Sequence, residues 1–190
     1  MLFRNGLRAL LTIMLAATFV GGASAVAHAD NTVPDPDVWV EIYAPYYNAT
    51  SDKCLDNKDG SSAPGNPVQM FGCHGYQPGG AMQRWQFWNR GTAADPTYEI
   101  RNTGSNLCLH ASSFGPVVQQ PCNAYPEGLW RVRPTQNVGP YFGLQSVRYP
   151  GQCMATRGSS GDDRVRVYTS TCNYDNQNDI TWIRQVWSFA

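Results

Sequence analysis

One arrangement of residues occurs three times along the chain, and it constrains the fold more than any other feature. Each copy contains a cysteine, a valine five residues before a second cysteine, and a tryptophan followed two positions later by an apolar residue. The repeated residues are Cys54, Val68, Cys73 and Trp85; Cys108, Val117, Cys122 and Trp130; and Cys153, Val167, Cys172 and Trp187. A fixed order of residues that recurs along a chain indicates an architecture of similar structural units.

Each copy also offers four short segments that are typical of β-strands. Apolar residues alternate with polar ones and are interrupted by Gly, Pro, Asn and Asp, whereas no segment shows a helical apolar period. The three units are predicted to span about residues 39–91, 98–134 and 141–190. We therefore predict an all-β fold of twelve strands around a pseudo-threefold axis. Its core is expected to contain the three large indole side chains of Trp85, Trp130 and Trp187.

Residues 1–29 have the character of a secretory signal peptide. Arg4 and Arg8 precede an apolar run, and small residues end the segment. The apolar run is too short to span a bilayer, so we expect no membrane insertion. The predicted product is a secreted chain with a flexible segment at residues 30–38 and one domain at residues 39–190.

Charge and composition argue against several other classes of ligand. Without Arg4 and Arg8, 12 basic residues face 14 acidic residues, which gives a net charge near −2. The arginines are scattered singly, so the sequence predicts no basic surface for nucleic acid. A zinc site is disfavoured because no Cys-x-x-Cys pair is present and only His74 and His110 follow the predicted leader. We predict neither a metal nor a cofactor.

The cysteines and one sequon are consistent with export. All six cysteines follow residue 29, and an even number in an exported chain favours disulfide bonds. Spacing alone leaves many connectivities open, but the repeats favour Cys54–Cys73, Cys108–Cys122 and Cys153–Cys172. Asn48-Ala49-Thr50 is a glycosylation sequon, which matters only in a host that glycosylates secreted proteins.

The three units resemble the ricin-type lectin family, whose signature is three β-trefoil repeats that each end in Gln-x-Trp. Gln83-Arg84-Trp85 and Gln185-Val186-Trp187 match this signature, and the second unit has Gly128 in place of the glutamine. The resemblance covers about residues 39–190. It implies a β-trefoil that binds sugar in a shallow pocket on a single repeat. The family's first repeat often carries a disulfide with this spacing, which supports Cys54–Cys73.

The resemblance also implies positions for the sugar-binding residues. In the family's galactose-binding repeats, an aspartate two residues after the first cysteine accepts hydrogen bonds from sugar hydroxyls. A glutamine four residues before the second cysteine supports the site, an aromatic residue two before it stacks on the sugar, and an Asn-Gln pair precedes the tryptophan. The first unit supplies Asp56, Gln69, Phe71 and Gln83, with Met82 at the Asn position. The corresponding residues are His110, Val118, Gln120 and Gly128 in the second unit, and Ala155, Tyr168, Ser170 and Gln185 in the third.

The sugar site is therefore expected in the first unit, where residue chemistry agrees with the resemblance. A carboxylate forms charge-assisted hydrogen bonds with hydroxyls, and an aromatic face suits the C–H side of a pyranose. Each residue also has a purely structural interpretation. Asp56 is also compatible with a turn, although the resemblance favours the sugar role, and Gln83 is expected to bond buried backbone; Phe71 fits an exposed loop as well as a stacking role. His74 and Tyr76 follow the second cysteine in the loop that would border the pocket, and they are expected to be ordinary surface residues rather than residues that gate it.

These observations predict a non-catalytic carbohydrate-binding protein whose partner is a galactose-type glycan or glycoconjugate. The alternative is a degenerate trefoil that acts through protein contacts, as an inhibitor or as a cell-binding subunit that meets a partner toxin or a cell-surface protein. Enzyme motifs are absent: the sequence has no Gly-x-Ser-x-Gly elbow, His-Glu-x-x-His or glycine-rich phosphate loop. Asp162 and Asp163 are better explained by a solvated turn than by a glycosidase pair.

Overall fold

A computed structural model describes residues 33–45, 53–74, 80–135, 141–157, 162–176 and 180–189. The predicted signal peptide, the sequon at Asn48 and the side chain of Tyr76 lie outside these ranges. The described residues form an all-β structure in which twelve strands belong to one connected sheet. None of the helices in these ranges has the length and hydropathy that crossing a membrane requires.

The strands follow one another in the order that the repeats predict, four to each unit. They are β1 Val40–Tyr43, β2 Lys53–Asn57, β3 Val68–Gly72, β4 Arg84–Asn89, β5 Tyr98–Asn102, β6 Leu107–His110, β7 Val118–Pro121, β8 Leu129–Pro134, β9 Phe142–Ser146, β10 Gln152–Thr156, β11 Val165–Thr171 and β12 Ser188–Phe189. Short 3₁₀ helices occupy Lys58–Gly60, Gly80–Gln83, Pro126–Gly128 and Ile180–Arg184.

The first and fourth strands of the three units form a closed barrel. β1 pairs with β12 and β4, β4 with β5, β5 with β8, and β8 with β9, all antiparallel. The ring closes between Phe142 and Trp187, because each of their N–H groups donates to the other's carbonyl oxygen at 3.0 and 2.9 Å. Closure leaves no free sheet edge in the barrel.

The second and third strands of each unit form a hairpin, and the three hairpins pack against one another. β2–β3, β6–β7 and β10–β11 are antiparallel pairs, and β11 also pairs with β3. The Val68 N–H donates to the Val117 carbonyl at 3.1 Å, and the Val117 N–H donates to the Val167 carbonyl at 3.0 Å. All three valines are fully buried. The repeated valine therefore lies where the hairpins meet, and the predicted β-trefoil is confirmed.

The three repeated tryptophans occupy equivalent places in the core. The indole N–H groups of Trp85, Trp130 and Trp187 donate to backbone carbonyl oxygens of the hairpin in their own unit. The acceptors are Leu55 at 2.9 Å, Leu109 at 3.0 Å and Met154 at 3.2 Å. None of the three indoles has exposed surface. Each tryptophan thus buries a large apolar area and attaches a hairpin to the barrel without leaving a polar group unpaired.

Each hairpin also carries a disulfide bond. The bonds are Cys54–Cys73, Cys108–Cys122 and Cys153–Cys172, which are the pairs that the repeats favour. They close chain segments of 19, 14 and 19 residues. In the chain-entropy model, a disulfide that closes a loop of ~15 residues stabilises a fold by about 3 kcal/mol. The disulfides therefore hold together the hairpin strands that carry the site residues.

Candidate functional site

The β2–β3 hairpin of the first unit brings the predicted site residues together. Asp56 on β2 lies directly opposite Gln69 on β3, and Cys54 lies opposite Phe71. Gln69 and Phe71 share one face of β3 because they are two residues apart. The Cys54–Cys73 disulfide fixes the end of this hairpin.

The Asp56 carboxylate is held in a fixed orientation by two glutamines. Gln69 Nε2 donates to Oδ1 at 2.9 Å, and Gln83 Nε2 donates to Oδ2 at 3.3 Å. Asp56 is only 3% exposed, yet it lines an open pocket. An ionised carboxylate offers about four acceptor positions, so the two glutamines leave capacity for further donors.

Burial also changes the protonation of this carboxyl group. It raises the pKa of Asp56 above the ordinary value, and the hydrogen bonds from Gln69 and Gln83 and the charge of His74 offset this only in part. The ionised form is therefore disfavoured in the folded protein relative to an exposed aspartate. A carboxyl group whose pKa is shifted by burial at a pocket wall is typical of a functional position.

Gln83 has a second, structural role that recurs in the third unit. Its Nε2 donates to the Gly72 carbonyl at 2.9 Å, and its Oε1 accepts from the His74 N–H at 2.7 Å. Gln185 makes the equivalent bonds to the Thr171 carbonyl at 2.6 Å and the Asn173 N–H at 2.5 Å. The glutamine of Gln-x-Trp thus braces the chain on both sides of the second cysteine, and only Gln83 also reaches a carboxylate.

The pocket around Asp56 has a volume of about 270 Å³. The half-buried Phe71 ring forms part of its wall and stacks on His74, with ring centroids 5.6 Å apart and an interplanar angle of 21°. The residues that line it are Asp56, Asp59, Gln69, Phe71, His74, Met82 and Arg164. The wall thus combines carboxylate, amide, aromatic and guanidinium groups.

Arg164 was not predicted from the sequence, because it comes from the third unit. It lies at the turn before β11 with a φ of 68°, and its N–H donates to the Met70 carbonyl at 2.7 Å. Asp163 beside it accepts from Lys53 Nζ at 2.6 Å and from the Gly72 N–H at 2.9 Å. Asp163 lies in an exposed turn, as the sequence indicated, and these two bonds also attach the turn to the first unit. These bonds join residues about 100 positions apart in the sequence, so no local motif could have predicted them.

Met82 occupies the position at which the family's sugar-binding repeats carry asparagine. It packs against the turn at Gly60, where an added Cβ would lie 3.0 Å from Met82 Sδ. Gly60 has a φ of 65° and the preceding Asp59 a φ of 56°, so this turn is tightly wound. Met82 therefore gives the pocket an apolar wall with no strong hydrogen-bonding group.

The equivalent place in the second unit is filled. His110, opposite Val118, is 8% exposed. A Cβ added to Gly128 would lie 2.6 Å from His110 Nε2, so the imidazole takes the space that a glutamine would need. Burial lowers the pKa of His110, and Glu127 offsets this only in part. The histidine and the glycine are therefore complementary changes that replace the pair formed by Asp56 and Gln83.

The third unit retains a pocket of different chemistry. Ala155 provides no carboxylate, and Tyr168 lies directly opposite it on β11. A pocket of about 210 Å³ is lined by Tyr168, Ser170, Thr171, Arg184 and Gln185. In the described part of the chain, the carboxylate, the two glutamines and the aromatic ring predicted for a galactose-type site come together in the first unit alone.

Within the described ranges, one group of residues has the types and spacing that could hold a metal ion, but it does not indicate a metal site. Glu41 lies near both sulfurs of Cys54 and Cys73. These sulfurs form a disulfide, and a metal ligand would have to be a thiolate.

Comparison with known proteins agrees with the β-trefoil fold. The family model described as ricin-type beta-trefoil lectin domain matches residues 43–182. The chain belongs to the ricin-type β-trefoil lectin family. No curated protein sequence shows significant similarity to it.

Several solved structures share the fold. The designed threefold symmetric protein ThreeFoil is 20% identical with a TM-score of 0.63, and the match covers 80% of this chain and 97% of that one. The C-half of the earthworm R-type lectin in complex with GalNAc is 14% identical with a TM-score of 0.56, covering 80% and 98%. A chain of the Haemophilus ducreyi cytolethal distending toxin is 16% identical with a TM-score of 0.63, covering 84% and 87%. At these identities the likeness concerns the fold.

Proposed function

We propose that this chain is a secreted, non-catalytic carbohydrate-binding protein that recognises galactose-type glycans through its first unit. Family membership supports carbohydrate binding, and domains of this family are generally non-catalytic. The observation that carries the specific proposal is the convergence of Asp56, Gln69, Phe71 and Gln83 at one open pocket.

The pocket's chemistry suits one sugar ring. The Asp56 carboxylate, already oriented by Gln69 and Gln83, accepts hydrogen bonds from two adjacent hydroxyls. The Phe71 ring offers its face to the apolar C–H side of the pyranose. Arg164 contributes a guanidinium that donates to a ring or hydroxyl oxygen. Because Gln69 and Gln83 orient the Asp56 carboxylate before the ligand arrives, little free energy is lost in ordering this group on binding.

A single shallow pocket of this kind binds weakly. A dissociation constant near the millimolar range corresponds to roughly −4 kcal/mol. Useful avidity then requires a polyvalent glycan, self-association or a partner protein.

The proposal is tested by a glycan array on the purified protein. We expect signals for glycans that end in galactose or N-acetylgalactosamine, and weaker signals for matched glycans that end in mannose or glucose. Absence of any glycan signal at high density of display, or equal binding to all termini, would contradict the proposal.

Binding is expected to depend on pH through Asp56. The ionised carboxylate is the form that accepts hydrogen bonds, so affinity is present above its pKa and is lost as the pH falls through it. Because burial raises this pKa, the loss is expected at a higher pH than for an exposed aspartate. Calorimetric titration with methyl β-galactoside across pH 3 to 7 measures the pH at which half of the affinity is lost. We expect this midpoint to lie above the ordinary aspartate pKa of ~3.9. An Asp56→Asn variant must show no such transition.

Replacing Met82 with asparagine is expected to strengthen binding. The amide would supply the hydrogen bond that the thioether lacks, which is worth about 1 kcal/mol or roughly fivefold in affinity. Met82→Leu is the matched control, since it keeps an apolar wall of similar size. Equal affinity of Met82→Asn and Met82→Leu for methyl β-galactoside would show that no ligand group reaches this position.

The filled site of the second unit favours one further candidate function. With His110 packed against Gly128, the protein has fewer sugar sites than its threefold fold allows, which is compatible with action through protein contacts as a toxin cell-binding subunit or an inhibitor. Co-purification with one protein at fixed stoichiometry, unchanged by excess free galactoside, would favour this candidate over a lectin.

A further inference from the structure

A third pocket of distinct chemistry lies between the hairpins of the second and third units. Its volume is about 260 Å³. The residues that line it are Phe114, Gly115, Pro116, Arg157, Arg166 and Tyr168. It shares no residue with the pocket around Asp56, and it shares Tyr168 with the pocket of the third unit.

Phe114 occupies a repeated position at the tip of its hairpin. The residue three before the repeated valine is Gly65, Phe114 or Arg164 in the three units, and all three have left-handed φ angles of 86°, 46° and 68°. Arg164 at this position lines the first-unit pocket, and Phe114 stands in the equivalent place beside the third unit. The symmetry therefore predicts that Phe114 serves the third unit as Arg164 serves the first.

The fold alone does not account for a phenylalanine at this tip. Glycine adopts a left-handed φ without strain, as at Gly65, whereas a bulky side chain there costs free energy. Phe114 is nevertheless 67% exposed, so it gains little from burial. Its backbone is held in place, because its N–H donates to Gln152 Oε1 at 2.8 Å and the Thr169 N–H donates to the Gly115 carbonyl at 2.9 Å. An aromatic ring is thus presented to solvent on a fixed support.

Two arginines face each other next to this ring. Thr156 pairs with Val167, and the following Arg157 donates its N–H to the Arg166 carbonyl at 3.0 Å, so the two guanidinium side chains start from opposite positions on the hairpin. Like charges at opposite positions destabilise a β-hairpin. Within the ranges that the structure describes, no carboxylate forms an ion pair with either arginine. The two positive charges are therefore available to solvent ions or to an anionic ligand.

We propose that this pocket binds an acidic saccharide, meaning one that carries a carboxylate or a sulfate. Arg157 and Arg166 would contact the anionic group, since guanidinium groups match carboxylate and sulfate oxygens with paired N–H donors. Phe114 and Tyr168 would flank the ring, and a pocket of this size holds about one sugar unit. The inference rests on the proposed carbohydrate binding but assigns a different site and a different class of sugar.

The test compares two lactose derivatives with lactose itself. The purified protein is titrated at low salt with lactose, with sulfated lactose and with sialylated lactose. Calorimetry measures the affinity for each sugar. The variant Arg157→Gln with Arg166→Gln removes the charges, and Phe114→Ala removes the exposed ring. Arg101→Gln with Arg148→Gln removes the same net charge outside this pocket and serves as the control.

We expect the acidic sugars to bind at least about tenfold more weakly to the Arg157→Gln, Arg166→Gln variant, with lactose binding and the control variant unchanged. Phe114→Ala should weaken the same ligands. Undiminished binding of acidic sugars to both variants overturns the inference, as does equal affinity for inorganic sulfate alone or for an acidic peptide. Loss of all sugar binding in an Asp56→Ala variant would also overturn the inference, because every sugar would then bind at the first unit. The proposed function of the first-unit site would still stand. Binding of lactose to no form of the protein would instead reject the proposed function.

Discussion

An Asp56→Ala variant is expected to lose measurable binding to methyl β-galactoside. The carboxylate is the charged acceptor of the first-unit pocket, and each charge-assisted hydrogen bond to a hydroxyl contributes about 1.5 to 3 kcal/mol. Losing two such bonds from a total near −4 kcal/mol leaves almost no affinity. Calorimetry or glycan-array binding measures the loss, and Arg148→Gln, an exposed change outside the pocket, is the control.

The stability of an Asp56 variant distinguishes a binding role of this residue from a structural role. A raised pKa in the folded state means that this group favours folding at pH below its unfolded pKa, and that the benefit disappears as the pH rises through the folded pKa. At neutral pH the buried charge therefore opposes folding. We expect Asp56→Asn, which keeps the shape and removes the charge, to leave the melting temperature unchanged or slightly higher. A marked fall in melting temperature would show that Asp56 is required by the fold and would weaken its assignment as a ligand.

Gly128→Gln, which restores the family signature in the second unit, is expected to destabilise the protein. An added Cβ alone would lie 2.6 Å from His110 Nε2, in a place where Gly128 is buried. Overpacking of a buried site costs about 1–3 kcal/mol, and the full glutamine side chain places this change at the upper end. The fall in free energy of unfolding is measured by denaturant titration.

A double variant shows whether the histidine is the cause. His110→Asp removes the imidazole and recreates the pair formed by Asp56 and Gln83 in the first unit. We expect His110→Asp with Gly128→Gln to be more stable than Gly128→Gln alone, with a positive coupling free energy in the double-mutant cycle. If the two effects simply add, the clash with His110 does not explain Gly128.

The fold could be predicted from the sequence because it is repeated. Val68, Val117 and Val167 recur at the same distance from a cysteine, and this spacing reflects their meeting point between the hairpins. The tryptophans recur because each unit needs one indole to join its hairpin to the barrel. Threefold recurrence thus converts a weak local motif into a strong statement about architecture.

The site could be predicted only as far as one hairpin extends. Asp56 and Gln69 are opposite each other on paired strands, so their proximity follows from local register. Arg164 and Phe114 reach the pockets of neighbouring units, and nothing near them in the sequence marks those contacts. Their common signal is a left-handed residue three before the repeated valine, which becomes recognisable once the φ angles are known. The extents of the leader and the domain and the sugar role of the site residues remain predictions.

The glycan is assigned to the pocket of the first unit. This assignment is tested by titrating methyl β-galactoside into isotope-labelled protein and recording the changes in amide chemical shift by NMR. We expect shifts at Gly72 and His74, whose backbone groups contact Gln83 beside Asp56, and none at His110 or Ala155. Shifts centred on His110 or Ala155, or no shifts at saturating sugar, would show that the glycan does not bind in the first-unit pocket.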